Sequence, residues 1–575
     1  MRLNEYCPDP PHITVIVTWG RKVPPHLDHT YPRYGKKQIF CGPYLRDGFV
    51  GDFQYISTST LHFDIDEVIS KIEDINKIDM FIADLEVGIV PFVKGLDKLA
   101  CPKIGKIGDT FHGMYPLSSL IEYLQVERYD HLLSVAQPAH LHFFFEIGYK
   151  HCAALPRLGP SIDVTKGKIQ RDIGVIYVGI RFSFHHVRRT LMLFSLERAL
   201  TAQGIDFRQY THTGHNEWLS LCSRSKIAVC SSSNNQFTPQ IFYIMHTGCL
   251  CMVDELSQQT GVYRFFQPGK HFITWRSFSD LISKILYYSE HEDEAAAIAR
   301  AGQEKAREYF PVEAVEGKII YDFATRNILP SENFRADIDK RFNAVSSGDF
   351  SEKKFNRRIR FYENIQDLHR KHETLHILFW KMTDDISAID VADLPRLNIT
   401  CCLDETIIDK ATAEAVAKDQ GVTDITYVYT AELSRFGLFD ICLLQADNES
   451  DDSQITEMMG YLKSSAVIFV FSETKEIQKN LIESYGFVPA AKSSCKNFLK
   501  RQIDRILVKL PLFLLPFGIY RYSLSLMPQM EMVEGLYAFY RKSGNTDFKF
   551  LFSFHGARMW WKYYFVKCKK IIKIN

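Results

Sequence analysis

The sequence predicts three consecutive α/β domains, each a Rossmann-like parallel sheet covered by helices. Short apolar runs rich in Val, Ile and Phe alternate with helical stretches along most of the chain, the pattern of repeated β/α units. Several of these runs stop at a glycine or an acid, as strands do where a parallel sheet meets a ligand or caps a helix. The 575 residues exceed what one core organises and set a prior of three to four domains.

Composition narrows the function classes. Hydrophobic content of 46% and charged content of 24% are those of a globular protein. A net charge of +1 argues against a dedicated nucleic-acid binder. The opening MRLNEYCPDPPH has acids and prolines before any apolar run, so no signal or anchor is read there and a cytoplasmic location is expected. Thirteen cysteines without a CxxC pair or a His/Cys cluster at zinc spacing read as reduced, buried thiols, with no metal site. The apolar run 510–520 is too short to span a bilayer.

In the first domain, residues 1–165, strands are expected at 12–17, 79–85, 102–107, 130–135 and 152–155, with helices at 65–75 and 117–126. Residues 21–44 read as a long functional loop. Asp109 and His112 follow a strand end, where an imidazole oriented by a carboxylate supplies a base or holds a hydroxyl. The alternative is a turn that Asp109 caps and His112 fills.

In the second domain, residues 166–330, strands are expected at 172–179, 207–210, 226–230 and 250–253, and a helix at 239–246. Gly179 ends its strand and permits close backbone approach. Arg181, His185, and Arg188 or Arg189 place positive charge at the next helix start. The cluster Ser231 to Asn235, with Asn234 and Asn235 nearest the 239–246 helix, either bonds phosphate and ribose or caps that helix. The strand 250–253 stops at Asp254 and Glu255. The stripe Phe278, Leu281, Ile282, Ile285 and Leu286 is core, and 292–310 is an alanine-rich helix.

Residues 331–373 read as a helical or partly flexible connector. The third domain, residues 374–545, carries strands at 375–380, 397–403, 424–430, 439–445 and 466–472. The tail, 546–575, interleaves Lys and Arg with Trp560, Trp561, Tyr563, Tyr564 and Phe565. It suits either an anionic membrane surface or a docked aromatic helix.

Phe242, Gly248, Asp254, Pro268-Gly269-Lys270, Tyr287-Tyr288 and Ile298-Ala299 with Gly302 fall in one order along the second domain. In that order the chain resembles glycosyltransferases of the GT-B fold, of the CgeB-like, glycosyl transferases group 1 type. The resemblance extends to Asp109 and His112 in the first domain. It implies two Rossmann-like domains in GT-B arrangement that clamp a nucleotide-diphosphate sugar as donor. No further cofactor is implied, and the leaving diphosphate is held without an obligatory metal. It further implies that Gly179, Arg181, Arg188, Asn234, Asn235, Gln240, Phe242, Tyr243, Gly248, Asp254 and Lys270 bind the donor, with Asp109 and His112 on the acceptor side. The acceptor would be a hydroxyl of a glycan or lipid-linked glycan. At three positions the chain departs from these relatives: Gln240 replaces Arg, and Tyr243 and His271 each replace Glu. A catalytically inactive nucleotide- or glycan-binding scaffold is therefore the rival reading.

The strand order of the last third resembles class I S-adenosylmethionine-dependent methyltransferases. The first strand there, LHILFWKMTDD, lacks their glycine-rich turn, which argues against S-adenosylmethionine binding and for a degenerate module. A bifunctional glycosyltransferase-methyltransferase is the third reading.

Overall fold

The computed structural model describes residues 13–17, 35–43, 45–50, 53–60, 62–72, 77–85, 92–108, 110, 116–134, 140–154, 170–179, 187–211, 215–232, 238–257, 260, 262–308, 320–325, 352–369, 372, 374–381, 386–392, 394–404, 409–419, 422, 424–446, 452–472, 487–489 and 536–541. Its strands form three main sheets, one for each block of β/α alternation.

The first sheet has the order β10-β9-β8-β6-β1-β2-β4-β3. It is built from β1 (Ile13–Val17), β2 (Lys37–Gly42), β3 (Gly48–Val50), β4 (Phe53–Ser57), β6 (Ile78–Leu85), β8 (Lys103–Ile107), β9 (His131–Ser134) and β10 (Cys152–Ala154). All neighbours are parallel except β3 with β4. Parallel strands bury both faces, and the β-branched run of β1 is buried at all five residues, Thr14 included. A small ribbon pairs β5 (His62–Asp64) with β7 (Phe92–Lys94). Two expectations need correction. The stretch read as a loop to residue 44 contains β2, whose Ile39, Phe40 and Cys41 are fully buried. Among the described residues, the helix expected over 65–75 runs Asp66–Ile69 and gives way to turn and bend at 70–72.

The second sheet has β11 (Ile173–Val178), β12 (Phe207–Tyr210), β13 (Ser225–Cys230), β14 (Leu250–Asp254) and β15 (Ile273–Trp275) in the order β12-β11-β13-β14-β15, all parallel. Pro239 opens the Pro239–His246 helix, where its missing N–H is harmless. Gly248, at φ 72°, turns the chain into β14.

The third sheet joins β16 (Leu375–Trp380), β17 (Leu397–Cys402), β18 (Ile425–Val428), β19 (Phe439–Ala446), β20 (Leu462–Ser472), β21 (Phe487–Pro489) and β22 (Leu536–Arg541) in the order β18-β17-β16-β19-β20-β22-β21. Only β22 runs antiparallel to its neighbours.

Apolar packing joins the sheets. Ile16, Phe40 and Met80 of the first sheet belong to the same core as Ile176 and Cys251 of the second. Helical residues 320–325 return to the first sheet, with Phe323 edge-on to His131 at 4.9 Å between ring centroids. The Glu352–His369 helix lies where a connector was expected. Its Phe355, Ile359, Tyr362 and Ile365 pack into a core shared by Leu117 and Phe143 beside the first sheet and by Ile377 and Ile399 of the third. Among the described residues no helix is long and apolar enough to cross a membrane, and no His/Cys/Asp/Glu group is placed to hold a metal. The described cysteines are free thiols. The basic aromatic tail lies outside the described residues.

Candidate functional site

A parallel sheet gathers ligands at the carboxyl ends of its strands, and in a 2-1-3-4-5 order the crevice opens where the winding direction reverses. In the second sheet that point lies between β11 and β13. Their register, Ile176 opposite Ala228, carries Gly179 alongside Ser231 one residue past the strand ends. Gly179 donates its amide to the Tyr210 carbonyl at 2.9 Å, and a Cβ there would stand 2.9 Å from the Tyr177 phenol oxygen. The glycine therefore lets the phenol cover the backbone at this edge. Burial pushes the Tyr177 hydroxyl up to about 12 and the neighbouring Cys230 thiol likewise to about 12, so both stay protonated.

Asp254 ends β14, one strand in from β15, and is fully buried. Its Oδ1 accepts from the Ser232 amide at 2.6 Å. Its Oδ2 accepts from the Ser232 hydroxyl at 2.9 Å, from Arg188 Nη2 at 3.3 Å and from Arg396 Nη1 at 3.3 Å. Two guanidiniums over one carboxylate leave this cluster with one positive charge in excess. The loop after β14 is pinned by the Tyr263 phenol, which bonds both the amide and the carbonyl of Leu256 at 3.0 Å. Burial raises that phenol to about 12. Glu255 pairs with Arg276, at the end of β15, at 2.8 Å.

A cleft of about 650 Å³ opens at this edge, between the second sheet and the amino ends of β16, β17 and β18. Glu255, Leu256 and Arg276 line one wall; His376, Arg396 and Asp424 line the other.

The residues expected from the sequence separate into three groups. Gly179, Arg188, Gln240, Tyr243 and Asp254 lie at or next to the carboxyl edge. Asp254 is spent on Ser232, Arg188 and Arg396, so its carboxylate organises the edge and is not open to a ribose. Arg188 is correspondingly tied to Asp254. Gln240, in the first turn of its helix, accepts a weak bond from Cys230 at 3.8 Å. Tyr243 packs edge-on against Trp218 at 5.5 Å.

Phe242, Gly248 and Lys270 lie away from the carboxyl edge. Phe242 is 2% exposed, inside the core. Gly248 and Lys270 precede β14 and β15, at the amino ends of the strands, where Gly248 faces Gln303 and Arg171 and Lys270 is exposed. Reading along the chain does not separate the two ends of a strand, and these three followed their motif neighbours. Asp109, His112, Arg181, Asn234 and Asn235 lie outside the described residues.

The sequence reading did not single out Arg396, which the fold brings against Asp254 and into the cleft wall. It follows Leu394 and Pro395 in a turn before β17, and nothing local distinguishes it from a solvated turn arginine.

Residues 182–315 match the family model described as glycosyl transferase-like. The match covers β12 through β15 and the helices that pack on them, and so includes Arg188, Ser232 and Asp254 of the carboxyl edge, with β11, Gly179 and Arg396 outside it. No curated protein matches the chain. Among solved structures, the chain is similar to HepE from Anabaena in complex with UDP and glucose, at 10% identity and TM-score 0.37, over 55% of this chain and 100% of that one. It is also similar to sucrose-phosphate synthase from Thermosynechococcus elongatus, at 10% identity and TM-score 0.39, over 54% and 99%. A third is an S. aureus TarM mutant in complex with fondaparinux, α-GlcNAc-glycerol and UDP, at 13% identity and TM-score 0.33, over 43% and 55%.

Proposed function

We propose that the protein is a glycosyltransferase that moves a sugar from a nucleotide-diphosphate donor to a hydroxyl of a glycan or lipid-linked glycan. One observation carries the reading: the glycosyl transferase-like match falls on the sheet whose carboxyl edge bears the Arg188–Asp254–Arg396 cluster and the cleft. Charge builds on the diphosphate as the glycosidic bond breaks. Fixed cations and amides at a desolvated edge stabilise that charge without moving during the reaction. Gly179, set alongside Ser231 by the β11–β13 register, and the start of the Pro239–His246 helix would form the backbone side of this cradle. The first unit would bring the acceptor, with His112 as base and Asp109 as the carboxylate that orients it.

The strand order of the third sheet, with a single antiparallel strand next to its edge, supports a methyltransferase-like origin for that unit. At the end of β16, where such enzymes turn through glycine, Lys381 occupies the left-handed region at φ 46° and lays its Nζ over the Trp380 ring at 5.8 Å. A lysine filling that turn supports a packing role, with no S-adenosylmethionine bound.

The test is transfer and donor hydrolysis by the full chain across UDP-, GDP- and ADP-sugars, with and without EDTA. Turnover of one nucleotide class, undiminished by EDTA, is expected. The second reading, a binding scaffold, follows from Tyr243 being committed to Trp218. Tight nucleotide binding with no turnover of any donor would establish the scaffold in place of the enzyme.

A further inference from the structure

We propose that Arg396, supplied by the third unit, binds a phosphate of the donor diphosphate in the cleft at the carboxyl edge of the second sheet. The side chain is 3% exposed, and its Nη1 faces Asp254. Its Nε and Nη2 are buried and have no acceptor among the described residues. These two nitrogens form one edge of the planar guanidinium. That edge carries two parallel N–H bonds, spaced to meet two oxygens of a single phosphate or carboxylate. Buried donors are ordinarily satisfied, and a guanidinium left half bare is costly.

The backbone points the same way. Arg396 has φ 66°, in the left-handed region that non-glycine residues rarely occupy and that recurs where a side chain must be aimed. Arg396 also lines the cleft.

The neighbouring anions are already occupied. Asp254 holds Ser232 and Arg188 as well as Arg396, and Glu255 holds Arg276. Asp424 lies within the field of Arg276. Among the described residues the bare edge of Arg396 therefore has no carboxylate of its own to turn to, and an incoming oxyanion supplies the acceptor. His376, which also lines the cleft, already accepts a bond from the Asn398 side-chain amide at 3.1 Å.

This inference rests on the donor reading for the identity of the ligand, and it adds a binding residue from outside residues 182–315. The third unit then becomes part of the donor site, and the clamp is completed by three units.

The test uses the full chain, titrated calorimetrically with inorganic pyrophosphate, UDP, GDP and uridine. R396K keeps a positive charge against Asp254 and loses the Nε–Nη2 edge; R396Q loses the charge as well. We expect pyrophosphate and the preferred nucleoside diphosphate to bind at least tenfold more weakly to R396K and more weakly still to R396Q, with uridine unchanged. Unfolding curves identify a variant that fails to fold, and R396K decides alone if R396Q does. Equal affinity in wild type and R396K overturns the proposal. So does a wild type that binds neither pyrophosphate nor a nucleoside diphosphate. Arg396-dependent pyrophosphate binding in a chain that turns over no nucleotide sugar removes sugar transfer and leaves the anion site standing. Full-rate transfer and unweakened diphosphate binding by R396K do the reverse.

Discussion

Arg358 and Glu146 meet in a buried bidentate pair, with Nη1 2.9 Å from Oε2 and Nη2 3.0 Å from Oε1. The same guanidinium reaches Asp390 at 3.0 Å through Nε and 3.2 Å through Nη2, and Asp390 stands 3.1 Å from His142. Glu146 and His142 belong to the helix region beside the first sheet, and Asp390 to the Ile386–Ala392 helix of the third unit. One side chain of the Glu352–His369 helix thus ties two units that the sequence places more than two hundred residues apart. Burial alone would raise the Asp390 carboxyl, but the Arg358 charge and the bonds from His142 and Arg358 outweigh it and hold the group below the ordinary carboxylate range.

Removing Arg358 leaves Glu146 and Asp390 as buried anions, each 3% exposed. R358M is therefore expected to lower unfolding free energy by about 3–5 kcal/mol, the usual cost of breaking a buried ion pair from one side. Urea denaturation of the full chain measures it. In R358M/E146Q/D390N the stranded charges are gone, and stability should return most of the way. No recovery in the triple variant would mean the pairing holds geometry by some other route.

A pH effect is expected at the contact between the first sheet and residues 320–325. His131 sits edge-on to Phe323, and its buried Nδ1 has no partner among the described residues. Burial, with the nearby His151, lowers its pKa from 6.5 to about 4. A base depressed on folding favours the folded state above its unfolded pKa. That contribution falls as pH drops below about 6.5 and is gone below about 4. The loss is up to about 3 kcal/mol, less where water reaches the ring. Unfolding curves between pH 7 and 4 should slope downward in wild type and flatten in H131F; parallel slopes would place the effect elsewhere.

The sheets were legible because parallel strands are buried on both faces, so that β1, β14 and β16 appear as predominantly apolar runs whatever surrounds them. β2 escaped because KQIFCG begins with two polar residues and follows a stretch dense in Pro, His and Lys. The Glu352–His369 helix read as a connector because Lys and Arg dominate its first half. Yet Phe355, Ile359, Tyr362 and Ile365 recur at helical spacing and announce its buried face. The site was half legible. Gly179, Arg188 and Asp254 follow strand ends, and strand ends can be read. Which of those groups neutralise one another cannot, because Arg396 meets Asp254 from 142 residues away.

The two glycines of the family-like motif should answer substitution differently, and both answers bear on where the donor binds. A Cβ on Gly302 would stand 2.2 Å from the His271 carbonyl oxygen and 3.2 Å from its carbonyl carbon. Both are backbone atoms, so no side chain can swing aside and the Glu292–Arg307 helix must lift off the turn. G302A is expected to cost about 1–3 kcal/mol or more, as overpacking does. Gly269 has φ 76° and open space around it, so G269A meets no clash and costs only the left-handed backbone, about 1–2 kcal/mol. Because Gly269 and Lys270 lie at the amino end of β15, G269A and K270A should leave nucleotide binding at its wild-type strength. Calorimetry with the preferred nucleoside diphosphate decides this. A tenfold loss in K270A would move the donor site to the other end of the second sheet, and the Arg188–Asp254–Arg396 cluster would then be a structural ion network.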